Sequence, residues 1–170
     1  LIKTAAGATL DCWSVPRDLA RELIAAIRKV RSGAAVIFDL PDQGQYVWEG
    51  IDWSHPQRRW YYEKHSRFMT ESQDLVVALD DDPIQIAFTG GVEEMRTLVA
   101  YVRTLPYAST LTLTLTEYEA RDFSLFDVTA KGCSKGSALA TWTGRLGISP
   151  AEVMAVGDNL NDLAMLEFAG

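Results

Sequence analysis

Residues 153–170 read VMAVGDNLNDLAMLEFAG, and the rest of the chain takes its meaning from them. The apolar run Val153, Met154, Ala155 and Val156 halts at Gly157-Asp158. Two β-branched valines in a short run that breaks at Gly predict a buried parallel strand. Leu163, Leu166 and Ala169 then recur at helical spacing, with Asn161 or Asp162 placed to serve the helix N-terminus. Asp158 thus stands where a strand ends, and Asn161 and Asp162 where a helix begins. In open α/β sheets that carboxyl edge is where ligands bind. The same residue types also make ordinary turns and caps; the complete G-D-x-x-N-D, with strand before and helix after, points to a site.

Upstream of this stretch, Ser149-Pro150-Ala151-Glu152 has Ser at a cap, Pro at the first helical position and Glu three residues after the Ser, a capping box. Before it, Ser134 is placed as N-cap of a helix carrying Leu139, Trp142 and Leu146 on one face, stopped by Gly147. Residues 124–129 read as a strand leading into that helix. Helix, strand, helix is a piece of a doubly wound sheet.

The first 123 residues have a different character. Residues 1–15 read as a hairpin around Ala6-Gly7. A helix is predicted over 16–31, with Pro16 in its first turn, Asp18 and Glu22 toward its positive end, and Leu19, Leu23, Ile27 and Val30 as an apolar stripe. Strands are predicted at 34–40 and 45–49, around the turn Pro41-Asp42-Gln43-Gly44. Two more are predicted at 75–79 and 84–88, on either side of Asp80-Asp81-Asp82-Pro83. A helix over 92–105 buries Met95, Leu98, Val99 and Val102, and Pro106 ends it. Residues 110–116 alternate Thr and Leu, a strand with one wet face. Hairpins mixed with helices on one face predict an α+β domain, largely antiparallel, over residues 1–123, followed by part of an α/β core over 124–170.

Composition narrows the function. The chain has 170 residues and would bury ~70% of its unfolded surface if compact. Its net charge of −7 disfavours nucleic acid and anionic membranes as partners, which call for a basic surface. No apolar run approaches the ~20 residues of a membrane span. Two cysteines, Cys12 and Cys133, with no C-x-x-C, are too few for a disulfide scaffold, so a reducing cytoplasm is the expected location. The segment WSHPQRRWYYEKHSRF, residues 53–68, interleaves bases and aromatics. That mixture can stack on nucleic acid, but it also suits a half-buried helix or a lid facing a substrate. His55 and His65 read as surface residues rather than ligands.

Chemistry concentrates in two short constellations, Gly132 to Ser137 and Gly157 to Asp162. The first is not a P-loop, because Lys135 precedes Gly136 instead of following the second Gly. Lys135 lies in the first turn of a helix, where a cation is mildly unfavourable unless it faces an anion shared with the helix N-terminus. Asp158 and Asp162 put two carboxylates near one strand edge. Unit charges ~4 Å apart repel by ~4 kcal/mol at an effective dielectric of ~20, so such a site wants a cation. Lys135 supplies one charge, and a hard divalent ion, Mg²⁺ above all, would supply more.

S-K-G-x-A-L at residues 134–139 followed by G-D-x-x-N-D at 157–162 resembles the haloacid dehalogenase (HAD) superfamily of phosphatases, in particular the Cof-type branch, whose members carry an α+β cap inserted in a Rossmann-like core. The resemblance extends over the chain. It implies that Lys135 screens the nucleophile and the transferring phosphoryl group, and that Asp158 is a metal ligand. It further implies that Asn161 binds phosphate and that Asp162 orients Lys135 or the waters of the metal. The implied reaction is Mg²⁺-dependent hydrolysis of small phosphorylated metabolites, sugar phosphates or related compounds, through an aspartyl-phosphate.

The family's first motif, D-x-D-G-T, and the Ser/Thr motif after it are absent, so the nucleophile is expected outside these residues and the chain is expected to be a piece of a longer protein. Asp80-Asp81-Asp82 mimics D-x-D after a strand but lacks Gly-Thr and runs into Pro83. Cys133, near a helix N-terminus and Lys135, has no placed base to make it a nucleophile. Two other readings stay open: a phosphomutase on the same scaffold, and a non-catalytic binding protein made of a cap with a vestigial core.

Overall fold

A computed structural model describes residues 1–41 and 44–170; of the turn expected at 41–44, Asp42 and Gln43 lie outside the described residues. The chain runs β1 (Ile2–Lys3), β2 (Thr9–Asp11), α1 (Arg17–Ile27), β3 (Ala34–Ile37), β4 (Tyr46–Glu49), α2 (Pro56–His65) and β5 (Met69–Glu71). It continues through β6 (Gln85–Gly90), α3 (Val92–Arg103), β7 (Leu111–Tyr118), β8 (Phe123–Ala130), α4 (Lys135–Leu146) and α5 (Leu163–Phe168). It forms two compact units: residues 14–130, and residues 1–13 together with 131–170. The division expected after residue 123 falls at the first residue of β8, which pairs along its length inside the larger unit. No helix among the described residues is long and apolar enough to cross a membrane.

The larger unit is a six-stranded sheet in the order β5-β4-β3-β6-β8-β7. Every pairing is antiparallel except β4 with β5, and that connection is long enough to hold α2, as a parallel pair requires. Strand alternation sends Val36, Ile86, Phe88, Phe126 and Val128 to one face, where they are buried. Against that face lie Leu23, Ile24 and Ile27 of α1 and Met95, Val99 and Val102 of α3. Each such side chain contributes about 1.5–3 kcal/mol on burial.

Several expectations are corrected here. The helix α1 stops at Ile27, so Val30 is left exposed rather than joining the stripe. Arg28 instead reaches Glu49 and Asp74 with guanidinium contacts of 2.5–2.7 Å. Residues 75–79 form no strand; Leu75 and Leu79 are buried from turns, as anchors of the core. The Thr face of β7 is half-buried, and Thr116 is buried outright.

In the smaller unit, β1 and β2 pair antiparallel around Gly7, whose φ of +86° only glycine adopts at ease. Arg145 of α4 holds Asp11 of β2 with a bidentate pair at 2.6 Å. Residues 153–156 are not a strand among the described residues, and Met154 and Val156 are 87% and 81% exposed. A buried parallel strand needs a neighbour on each side, and the strands described in this unit, β1 and β2, pair with each other.

Candidate functional site

Ser134 has extended backbone and caps α4: its Oγ accepts from the Ser137 N–H at 2.9 Å, while Ser137 Oγ accepts from the Ser134 N–H at 2.9 Å. The reciprocal bonds place Lys135 at the first helical position. Gly136 follows because a Cβ there would meet the Ala164 carbonyl oxygen at 2.2 Å; only a bare Cα lets α4 approach α5 this closely. Gly147 ends the helix with φ +68°.

The second motif builds the other wall. The turn at 160–162 is capped by Asn159, whose Oδ1 accepts from the Leu160 N–H at 2.7 Å and whose own N–H donates to Asp162 Oδ2 at 3.3 Å. The cap is therefore Asn159 rather than Asn161 or Asp162, since the Asp162 side chain caps nothing at the start of α5. Gly157 has its own reason: a Cβ there would sit 2.3 Å from Asp162 Cβ. With no side chain at 157, Asp162 folds inward and is 5% exposed.

Lys135 bridges the two motifs. Its Nζ donates to Asp162 Oδ1 and, at 3.4 Å, to Asn161 Oδ1. The hydrogen bond from Lys135 holds the Asp162 carboxyl below the usual carboxylate range, against the opposing effect of desolvation. A buried carboxylate thus fixes a half-exposed ammonium. Asp158 is exposed beside this pair.

Four residues singled out in the sequence, Lys135, Asp158, Asn161 and Asp162, therefore lie in one unit around the packed ends of α4 and α5. No group of three or more His, Cys, Asp or Glu side chains able to hold a metal ion occurs among the described residues. Asp158 offers one exposed carboxylate, and a hard divalent ion such as Mg²⁺ is commonly held through one or two carboxylates together with waters and phosphate oxygens.

The other candidates have different roles. Asp82 Oδ1 accepts from the Arg17 N–H at 2.8 Å and so caps α1, while Asp80 and Asp81 are exposed. His55 stacks on Phe123 with ring centroids 5.2 Å apart. Within segment 53–68, α2 buries no residue; Lys64 lies 4.2 Å from the Trp60 ring and, in the turn after the helix, Arg67 lies 4.3 Å from Phe68, while Arg58 donates to Thr89.

A cavity of about 270 Å³ on the other face of the sheet is lined in part by segment 53–68, through Trp53, Arg58, Tyr61 and Phe68, and by Tyr46 and Asp127. Its polar floor is Asp127, whose Oδ1 accepts from Gln85 Nε2 at 2.7 Å. A carboxylate in the middle of the apolar strand FSLFDVTA was the available signal.

The sequence profile of the haloacid dehalogenase-like hydrolases matches residues 1–170, and the chain belongs to that family. A phosphoglycolate phosphatase of Methanoculleus marisnigri is 56% identical over 39 residues, 23% of this chain and 17% of that protein. An HMP-PP phosphatase of Serratia proteamaculans is 36% identical over 86 residues, 51% of this chain and 29% of that protein. In structure the chain is similar to BT1666 of Bacteroides thetaiotaomicron, with a TM-score of 0.70 at 19% identity over 99% of this chain. It is also similar to TM0651 of Thermotoga maritima, with a TM-score of 0.66 at 16% identity over 92%. The chain spans 56% and 54% of those two structures.

Proposed function

We propose that this chain is part of a Mg²⁺-dependent phosphatase acting on small phosphorylated metabolites through an aspartyl-phosphate, with the nucleophilic Asp outside these residues. The observation that carries the reading is Lys135 held between Asp162 and Asn161 beside an exposed Asp158. Membership of a hydrolase family and relatives named as phosphatases support it. Lys135 binds the anionic phosphoryl group as a point charge, kept in place by the buried Asp162. Asn161 turns its oxygen to Lys135, which leaves its amide N–H groups to donate to a phosphate oxygen. Asp158 holds the metal, which neutralises charge on the transferring group when bound. The larger unit acts as the cap that selects the ester. The acidic chain favours small metabolites over nucleic acid or membranes as partners, in the cytoplasm.

The test is hydrolysis of p-nitrophenyl phosphate by the native gene product, with Mg²⁺ and with EDTA. Asp158→Asn is expected to lower kcat/KM by about 10²–10³-fold or more, and EDTA to do the same to the unsubstituted protein. Turnover unchanged by Asp158→Asn would remove the metal assignment.

A further inference from the structure

The larger unit carries a second cavity, of about 340 Å³, at the end of the sheet where β3 begins and β4 and β6 end. Glycines clear it. At Gly33, with φ +86°, a Cβ would stand 3.0 Å from the Gly50 carbonyl oxygen and 3.6 Å from Arg31 Nη2, so the floor is bare backbone. At Gly90 a Cβ would lie 2.2 Å from Glu94 Oε2, so its absence seats the Glu94 carboxylate against the end of β6. Ile51 is the one wholly aliphatic side chain among the described residues of the lining.

Two cations converge on one oxygen there. The Thr89 carbonyl accepts from Arg31 Nη2 at 3.2 Å and from Arg58 Nη2 at 2.6 Å, and like charges gathered this closely repel. Arg31 also donates to the Ser32 carbonyl and the Met95 sulfur, and Arg58 to Thr89 Oγ1 and the Asp52 carbonyl. Each guanidinium has five N–H groups, so each keeps two to spare among the described residues. Arg31, with its side chain 14% exposed, has one carboxylate near it: Glu94 Oε1, at 3.6 Å from Nη2, outside hydrogen-bond reach. Burial above all weakens the hold of Arg31 on its proton, with Glu94 opposing and Arg58 adding to the effect. Arg58 makes no ion pair among the described residues, and the Asp52 carboxylate is turned to the N–H and hydroxyl of Ser54. Glu94 Oε2 accepts from the Gly91 N–H at 3.3 Å, while Oε1 accepts no hydrogen bond among the described residues.

Two guanidiniums with N–H groups to spare match a planar carboxylate, which takes paired bonds from such forks. A phosphate dianion is a poorer match, because Glu94 repels it. Glu94 Oε1 calls instead for a cationic donor beside that carboxylate. We propose that this cavity binds a small α-amino acid, with its carboxylate on Arg31 and Arg58 and its ammonium on Glu94 Oε1. The polar lining favours a short or hydroxylated side chain. The proposal goes beyond the phosphatase reading and stands without it.

Calorimetric titration of the native gene product with L-serine should show one saturable site. L-Glycerate, with a hydroxyl in place of the ammonium, and ethanolamine, which lacks the carboxylate, should each bind about tenfold or more weakly. Inorganic phosphate should not displace L-serine. In Glu94→Gln the amide oxygen can still accept from the Gly91 N–H, so the start of α3 is kept while the charge is lost. L-Serine should then weaken about tenfold or more, to the level of L-glycerate. Arg31→Lys keeps the charge but loses the planar fork, and should weaken L-serine and L-glycerate alike. Absence of saturable L-serine binding, equal affinity for L-glycerate or ethanolamine, displacement by phosphate, or affinity unchanged in Glu94→Gln would each overturn the proposal. Turnover plays no part in these titrations, so failure of p-nitrophenyl phosphate hydrolysis would count against the phosphatase reading alone.

Discussion

Gly136 and Gly144 lie in the same helix and are there for different reasons. A Cβ at 136 would strike the backbone of Ala164, whereas one at 144 meets nothing within 4 Å. Gly136→Ala should therefore cost about 1–3 kcal/mol through overpacking, and Gly144→Ala should gain about 0.5–1 kcal/mol through helix entropy. Urea unfolding followed by circular dichroism checks the pair, and shifts of the same sign would mean that the approach of α4 to α5 is not what Gly136 serves. At this scale the sequence was legible wherever the chemistry is local. The Ser134 cap and the Ser149–Glu152 box each close over three residues and were legible as local chemistry, whereas Lys135 meets Asn161 and Asp162 across 26 and 27 residues, a contact no local pattern fixes. Asn159 was passed over because the motif drew attention to its more distinctive neighbours. Asp127 and Gln85 were passed over because they meet only when β6 and β8 pair, 42 residues apart.

Elements were legible where a periodic pattern reported on packing and misleading where apolar content alone suggested a strand. Residues 92–105 and 110–116 carry periodic patterns, and α3 and β7 follow them. Residues 75–79 and 153–156 are merely apolar, and neither pairs in a sheet. The acidic turn after residue 79 shows what the first of these serves. Asp82 reaches back 65 residues to bond the Arg17 N–H, one of the donors that the start of α1 leaves without an intrahelical partner. Asp82→Ala should thus destabilise the larger unit by about 1 kcal/mol. Asp80→Ala, which removes an exposed side chain in the same turn, should stay within about 0.5 kcal/mol. Thermal or urea midpoints measure both, and equal effects would refute the cap. The end of α1 was illegible for a similar reason: the Arg28 pairs with Glu49 and Asp74 are long-range.

At the scale of the molecule, the architecture of the larger unit followed from the order of its elements, and its α+β character with a largely antiparallel sheet is what the structure has. Strand order was not legible, because β3 pairs with β6 across a long intervening segment that includes β4, α2 and β5. The turn between β7 and β8 has a consequence for the time course of assembly. β7 and β8 match over eight consecutive pairs around a short connection, whereas β3 must find β6 by closing a loop of roughly 45 residues, which is entropically slower. Asp122, in that connection, adopts φ +42° and its Oδ1 accepts from the Val92 N–H at 2.9 Å, at the start of α3. Closing the hairpin therefore brings a carboxylate to the start of α3, and that helix is expected to be seeded before β3 arrives. Stopped-flow refolding should show Leu115→Ala in β7 slowing folding, and Val36→Ala in β3 chiefly speeding unfolding. The reverse assignment would mean that the sheet nucleates from its β3 side, with the hairpin the last part to lock.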